Sequence, residues 1–250
     1  MGPTVLFVHG SAADRTTWTI QVAGLRSKLR LITYDRRGTG ASELPPGAAF
    51  FRIEQHADDA AALIETYAEG GPVLAVGSSF GAVVVLDLAR RRPELLRGAM
   101  LLEPPLARND TLPPIPEDFL ARYDTLARER SGPGAAEFFL RSVLGDAAFE
   151  RMPKRFQERS MALHAQIRQD IAALGAYPVR YAELATVQVP ILLLGGDRSA
   201  PFYRHTLHAL HDALGNARLE FLAGAGHMMH ADVHRRFNQR LLEFLAEVSL

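Results

Sequence analysis

Short apolar runs recur along the chain: Val5–Val8, Leu31–Tyr34, Val73–Val76, Ala99–Leu102, Ile191–Leu194 and Leu219–Leu222. Each ends near Gly, Ser, Asp or Pro. Continuous apolar runs of this length read as strands covered on both faces. Between most of them the period changes to that of a helix, as over Gln55–Ala68, Gly81–Arg92 and His205–Leu214. Strand and helix in alternation predict a mostly parallel α/β sheet with right-handed crossovers.

The alternation stops after the fourth run. Pro104-Pro105, Pro113-Pro114 and Pro116 open a segment that ends near Leu184. Inside it the pattern is helical over Glu117–Glu129, Ala135–Leu144 and Pro153–Leu174, with Phe119, Leu120, Tyr123 and Leu126 at helical spacing. The expected organisation is a core formed by residues 1–104 and 185–250, with a helical lid insertion over 105–184 above the C-terminal edge of the sheet. Phe119, Phe138, Phe139, Leu140 and Met161 are candidates to line a substrate pocket beneath it, with core packing the competing role for each.

Composition narrows the chemistry. The 250 residues are 48% hydrophobic and 22% charged, which excludes long disorder and allows a full core without staples. Lys plus Arg and Asp plus Glu both number 28, so no general pull toward nucleic acid or an anionic membrane is expected. No apolar run is long enough to predict a membrane span. The absence of cysteine removes disulfides, thiolate metal sites and cysteine nucleophiles, and suits a reducing, cytoplasmic setting. The N-terminus lacks a charged start followed by a long apolar stretch, so no secretory leader is expected.

Gly77-Ser78-Ser79-Phe80-Gly81 fits Gly-x-Ser-x-Gly, a pattern that chance supplies about 0.06 times in a chain of this composition. Its context is a strand before and a helix after. A turn so tight forces the central residue into a strained backbone and exposes its hydroxyl at a helix N-terminus. Ser79 is therefore the candidate nucleophile, a plain helix N-cap being the competing reading. His9-Gly10-Ser11 follows the first strand, so the N–H groups of Ser11 and Phe80 are candidate oxyanion donors. His9 itself reads as structural. A serine needs a base, and His227 lies just after the last strand in Gly224-Ala225-Gly226-His227. His205, His208 and His211 read as solvated helix residues, and no metal is expected. Asp197, in Gly195-Gly196-Asp197, ends the fifth strand and is the expected orienting acid. Glu103 ends the fourth strand at the same edge and is the competing acid. Asp35 reads as loop structure.

Together these motifs resemble the α/β-hydrolase superfamily: His9-Gly10, Asp35-Arg36-Arg37-Gly38-Thr39-Gly40, Gly77–Gly81, Gly196-Asp197 and Gly226-His227, in the order Ser, Asp, His. They span residues 5 to 227. The first strand lies so near residue 1 that the superfamily's usual leading pair of strands has no room; about six strands are expected, as in compact plant-type esterases and hydroxynitrile lyases. A serine at position 79 weakens resemblance to the haloalkane dehalogenases and epoxide hydrolases, which use a carboxylate there. Ala82 after Gly81 departs from the glycine pair usual in carbon–carbon bond hydrolases. The resemblance implies a cofactor-free serine esterase for a small or medium carboxylic ester, working through an acyl-enzyme. The same triad could also serve carbon–carbon hydrolysis, lyase or perhydrolase chemistry, or remain in a non-enzymatic ligand receptor.

Overall fold

In a computed structural model of the chain, residues 2–42, 51–69, 71–106, 116 and 118–249 are described. The six apolar runs form strands β1 (Thr4–Val8), β2 (Arg30–Thr33), β3 (Val73–Ser78), β4 (Leu96–Leu102), β5 (Ile191–Gly196) and β6 (Ala217–Leu222). They pair in parallel in the order β2-β1-β3-β4-β5-β6. Among the described residues, this six-stranded parallel sheet with flanking helices is the α/β-hydrolase fold.

Strand alternation decides which side chains meet which helices. Leu6, Val8, Ala75, Leu101 and Leu193 face one way, into a layer with α2 (Ile53–Tyr67), α3 (Phe80–Arg91) and α9 (Pro201–Ala213). Val5, Phe7, Val76, Met100 and Leu192 face the other way, toward Trp18, α1 (Thr19–Leu25) and α11 (His234–Glu247). The short α10 (Met229–Asp232) precedes α11. Burial on both faces holds for β1, β3 and β5 along their full length. It fails at the margins, where β2 and β6 are only partly covered because each has a neighbour on one side alone.

The segment between β4 and β5 is helical: α4 (Phe119–Glu129), α5 (Gly132–Leu144), α6 (Asp146–Arg151), α7 (Lys154–Ala162) and α8 (His164–Gly175). Its expected opening at Pro113, Pro114 and Glu117 lies outside the described residues. The single helix expected over Pro153–Leu174 is two, divided at Leu163. The division has a packing reason: α7 buries no residue, whereas α8 buries Ile167, Asp170 and Ile171 among others and needs a different axis to do so. The insertion has its own apolar cluster, which Ala12 joins from the loop after β1. Among the described residues, no helix is long and apolar enough to cross a membrane.

Candidate active site

The carboxyl ends of β1, β3, β4 and β5 and the loop after β6 supply the site. Between β3 and α3 the chain turns at Ser79, which takes φ 53° and ψ −119°, a conformation that costs an ordinary residue free energy. Its N–H donates to Leu102 O at 2.8 Å, anchoring the turn on β4, and its carbonyl accepts from Ala82 N–H at 2.8 Å. The neighbours must be glycine. A Cβ on Gly77 would stand 2.3 Å from Gly81 O, and one on Gly81 would stand 2.3 Å from Val8 O. Ser79 occupies the N-cap position of α3, but its hydroxyl makes no capping hydrogen bond to that helix. Gly10 abuts Ser79, since a Cβ there would lie 3.2 Å from Ser79 Cβ. The expected oxyanion donor Ser11 follows directly, and Phe80 opens α3 with its side chain fully buried.

His227 is buried on the loop after β6. Its Nδ1 lies 2.6 Å from Glu103 Oε2. A carboxylate oxygen accepts, so in this pair Nδ1 is the donor. Glu103 Oε1 accepts from Gly196 N–H at 2.8 Å, so each oxygen of this buried carboxylate has a donor. Glu103 reaches inward because it leaves β4 with φ 45° while its N–H still donates to Leu194 O at 3.1 Å.

Asp197, the expected acid, is not the carboxylate that the structure brings to His227. Asp197 is exposed, and its Oδ1 accepts from Gly224 N–H at 2.7 Å, closing the turn in which Gly224 takes φ 77°. It supports the loop that carries His227, while Glu103 meets the imidazole. All five pocket candidates lie on helices of the insertion. Phe139 and Leu140 are buried in the insertion's own cluster, with Phe119 and Met161 packed against it. Phe119 and Phe138 are ring neighbours at 5.4 Å, and Arg122 lies over the Phe138 ring. Amphipathic helices of an insertion bury their apolar faces against one another first, so helical spacing alone does not point to a substrate.

Tyr203, on α9, was not foreseen. Its ring stacks on His227 with centroids 4.4 Å apart and planes 17° from parallel. Its hydroxyl is 3.5 Å from Nε2. With the planes so nearly parallel, that contact comes over the ring face. Burial and the nearby Glu103 charge push the Tyr203 hydroxyl pKa upward, so it stays protonated. Helical periodicity gives Tyr203 as a core residue and says nothing of its partner.

His9 is fully buried, and burial, aided by the Arg36 charge, pulls its pKa down to about 3. Its Nδ1 donates to Gly10 O at 2.8 Å and its Nε2 accepts from Arg36 N–H at 3.0 Å, a structural role as expected. Asp35 accepts from the N–H groups of Arg15 and Ala41 at 2.8 and 2.9 Å and so organises its loop. His205, His208 and His211 are exposed along α9.

Comparison with known proteins agrees with this architecture. A carboxylesterase, YbfK of Bacillus subtilis, is 23% identical over 252 residues, covering 97% of this chain and 80% of its own length. The uncharacterised hydrolase YraK of the same species is 37% identical over 103 residues, which is 41% of this chain but only 38% of that protein. The structure of a thermophilic esterase from Thermogutta terrifontis, with malate bound, superposes with a TM-score of 0.83 at 26% identity, covering 99% of this chain and 91% of the other. The model of the alpha/beta hydrolase family matches residues 5–240. A strained serine turn at the rim of a parallel sheet, and a sequence match over nearly all of that sheet, place this chain in the alpha/beta hydrolase family.

Proposed function

We propose that the protein is a serine hydrolase of small or medium carboxylic esters, with Ser79, His227 and Glu103 as its triad. Ser79 Oγ attacks the ester carbonyl carbon while His227 Nε2 takes the hydroxyl proton. The tetrahedral oxyanion is held by the N–H groups of Ser11 and Phe80. Its collapse breaks the bond to the alkoxy oxygen, which leaves with the proton from His227. Water then attacks the acyl-enzyme, its proton passing to Nε2 and on to Ser79 as the acid departs. Glu103 keeps Nδ1 protonated and stabilises the imidazolium formed in each half-reaction. Tyr203, stacked on that ring, limits its rotation.

The observation that carries this reading is the 2.6 Å Glu103–His227 pair standing at the sheet edge where Ser79 turns. Esterase and carboxylesterase relatives support the bond type. Turnover of p-nitrophenyl acetate tests it. Ser79→Ala is expected to lose at least about a thousandfold in kcat with an unchanged thermal midpoint, and to lose labelling by a fluorophosphonate. Undiminished turnover by folded Ser79→Ala protein would defeat the assignment.

A further inference from the structure

A single fully buried guanidinium touches both segments of the oxyanion site. Arg36 Nε donates to His9 O at 3.2 Å and its Nη2 to Gly10 O at 3.1 Å. The same carbonyl of Gly10 accepts from His9 Nδ1 at 2.8 Å. It is one end of the Gly10–Ser11 peptide, and the other end is the Ser11 N–H. A trans peptide is planar, with its N–H directed opposite its C=O. Two donors that fix the carbonyl direction therefore fix the direction of the Ser11 N–H. Because one of them is cationic, they also polarise the peptide and make that N–H a stronger donor. On its other side the guanidinium lies 4.2 Å over the ring of Phe80, the residue carrying the second N–H.

Arg36 is held in turn from the insertion. Asp170 on α8 accepts a bidentate pair from Nη1 and Nη2 at 3.0 and 2.8 Å, and Gln166 Nε2 lies 3.2 Å from Asp170 Oδ1. A buried ion pair is a weak source of stability, because desolvating both charges offsets most of their attraction. Replacing the pair as a unit therefore leaves no lone buried charge, and the remaining structural cost is the loss of the Arg36 donors to His9 O and Gly10 O.

We propose that Arg36 is a positioning residue that aims and polarises the Ser11 N–H at the substrate oxyanion, and that Asp170 holds it there. Seating of α8 and formation of the oxyanion site are thereby one event. The inference rests on the reading of Ser11 and Phe80 as the oxyanion donors.

The test compares Arg36→Met combined with Asp170→Leu, and Asp170→Asn alone, with wild type. The readouts are kcat and KM for p-nitrophenyl esters, the inhibition constant of a trifluoromethyl ketone, whose adduct with Ser79 carries the oxyanion, and the thermal midpoint. In the paired variant kcat is expected to fall about 100-fold with KM within threefold. Trifluoromethyl ketone affinity is expected to fall in proportion to kcat/KM, and the midpoint to drop modestly with the lost carbonyl donors while the fold persists. Asp170→Asn, nearly isosteric, is expected to lose about tenfold in the same pattern and serves alone if the paired variant does not fold. Unchanged kcat in either folded variant, or a loss confined to KM, overturns the positioning role. If Ser79→Ala is inert and these variants are fully active, only this inference falls. If Ser79→Ala remains active, the catalytic reading falls first.

Discussion

Glu103 and Asp197 end neighbouring parallel strands, yet one carboxylate enters the site and the other stays in solvent. Each accepts a backbone N–H from a nearby glycine: Gly196 for Glu103 and Gly224 for Asp197. The difference lies in how the chain leaves the strand. Glu103 takes a left-handed backbone and its longer side chain reaches Gly196 N–H and His227, with 1% of its surface exposed. After Asp197 the chain enters a turn on the surface. The strain at Glu103 is held by its N–H bond to Leu194 and by two donors on its carboxylate. Position at the sheet edge is thus shared by both acids, and direction separates them.

The largest effect should come from the inner acid. Glu103→Gln is expected to lower kcat about a thousandfold, because an amide can donate to Nδ1 and favour the wrong tautomer of His227. Steady-state kinetics on p-nitrophenyl acetate, with circular dichroism to confirm folding, measure this. A loss of less than about tenfold would remove Glu103 from the triad.

Two histidines sharpen the same contrast. His227 has a carboxylate, whereas His230, three residues on, is fully buried, its Nδ1 without a partner among the described residues and its ring 4.7 Å from that of Trp18. Burial, and then the proximity of His227, pull the His230 pKa down to about 3. An unfolded histidine titrates near 6.5, so below that pH the unfolded state binds the proton first. Stability from keeping His230 neutral is therefore complete above about pH 6.5 and is lost as pH falls toward 3. His230→Phe should flatten the acid limb by about 1.4 kcal/mol per pH unit in that window. Urea unfolding at pH 7, 5.5 and 4.5 checks it, and an unchanged slope would show that His230 is protonated in the folded state.

What the sequence revealed was local. Six apolar runs, the glycine-flanked Ser79 and the loop histidine each follow from a few adjacent residues, and the fold puts each where the pattern implies. The hidden features depend on direction or on distance along the chain. Which of the two carboxylates turns toward His227 depends on one backbone angle, that of Glu103. Arg36 and Asp170 are 134 positions apart, and the motif around Arg36 reads as a loop until its partner is known. Phe139 and Leu140 have the spacing of buried residues, but periodicity does not name the surface they are buried against. Leu163 interrupts a helical pattern that has no proline or glycine to announce the break.

The smallest expected effect belongs to the outer acid, and it is the one that can reverse the comparison. Asp197→Asn keeps an oxygen to accept from Gly224 N–H, so kcat/KM should stay within about threefold of wild type. Asp197→Ala leaves that N–H to water and loosens the turn before His227, at a cost of about 1 kcal/mol in folding stability. If Asp197 serves the loop, the alanine variant is the less stable of the two, and asparagine restores both midpoint and turnover. If Asp197 serves the imidazole, asparagine is as damaging as alanine, since lost charge rather than a lost acceptor would be the cause. A drop in kcat for Asp197→Asn equal to that for Glu103→Gln would return the acid to β5. It would mean that the 2.6 Å pair at Glu103 is a resting arrangement that the reaction does not use.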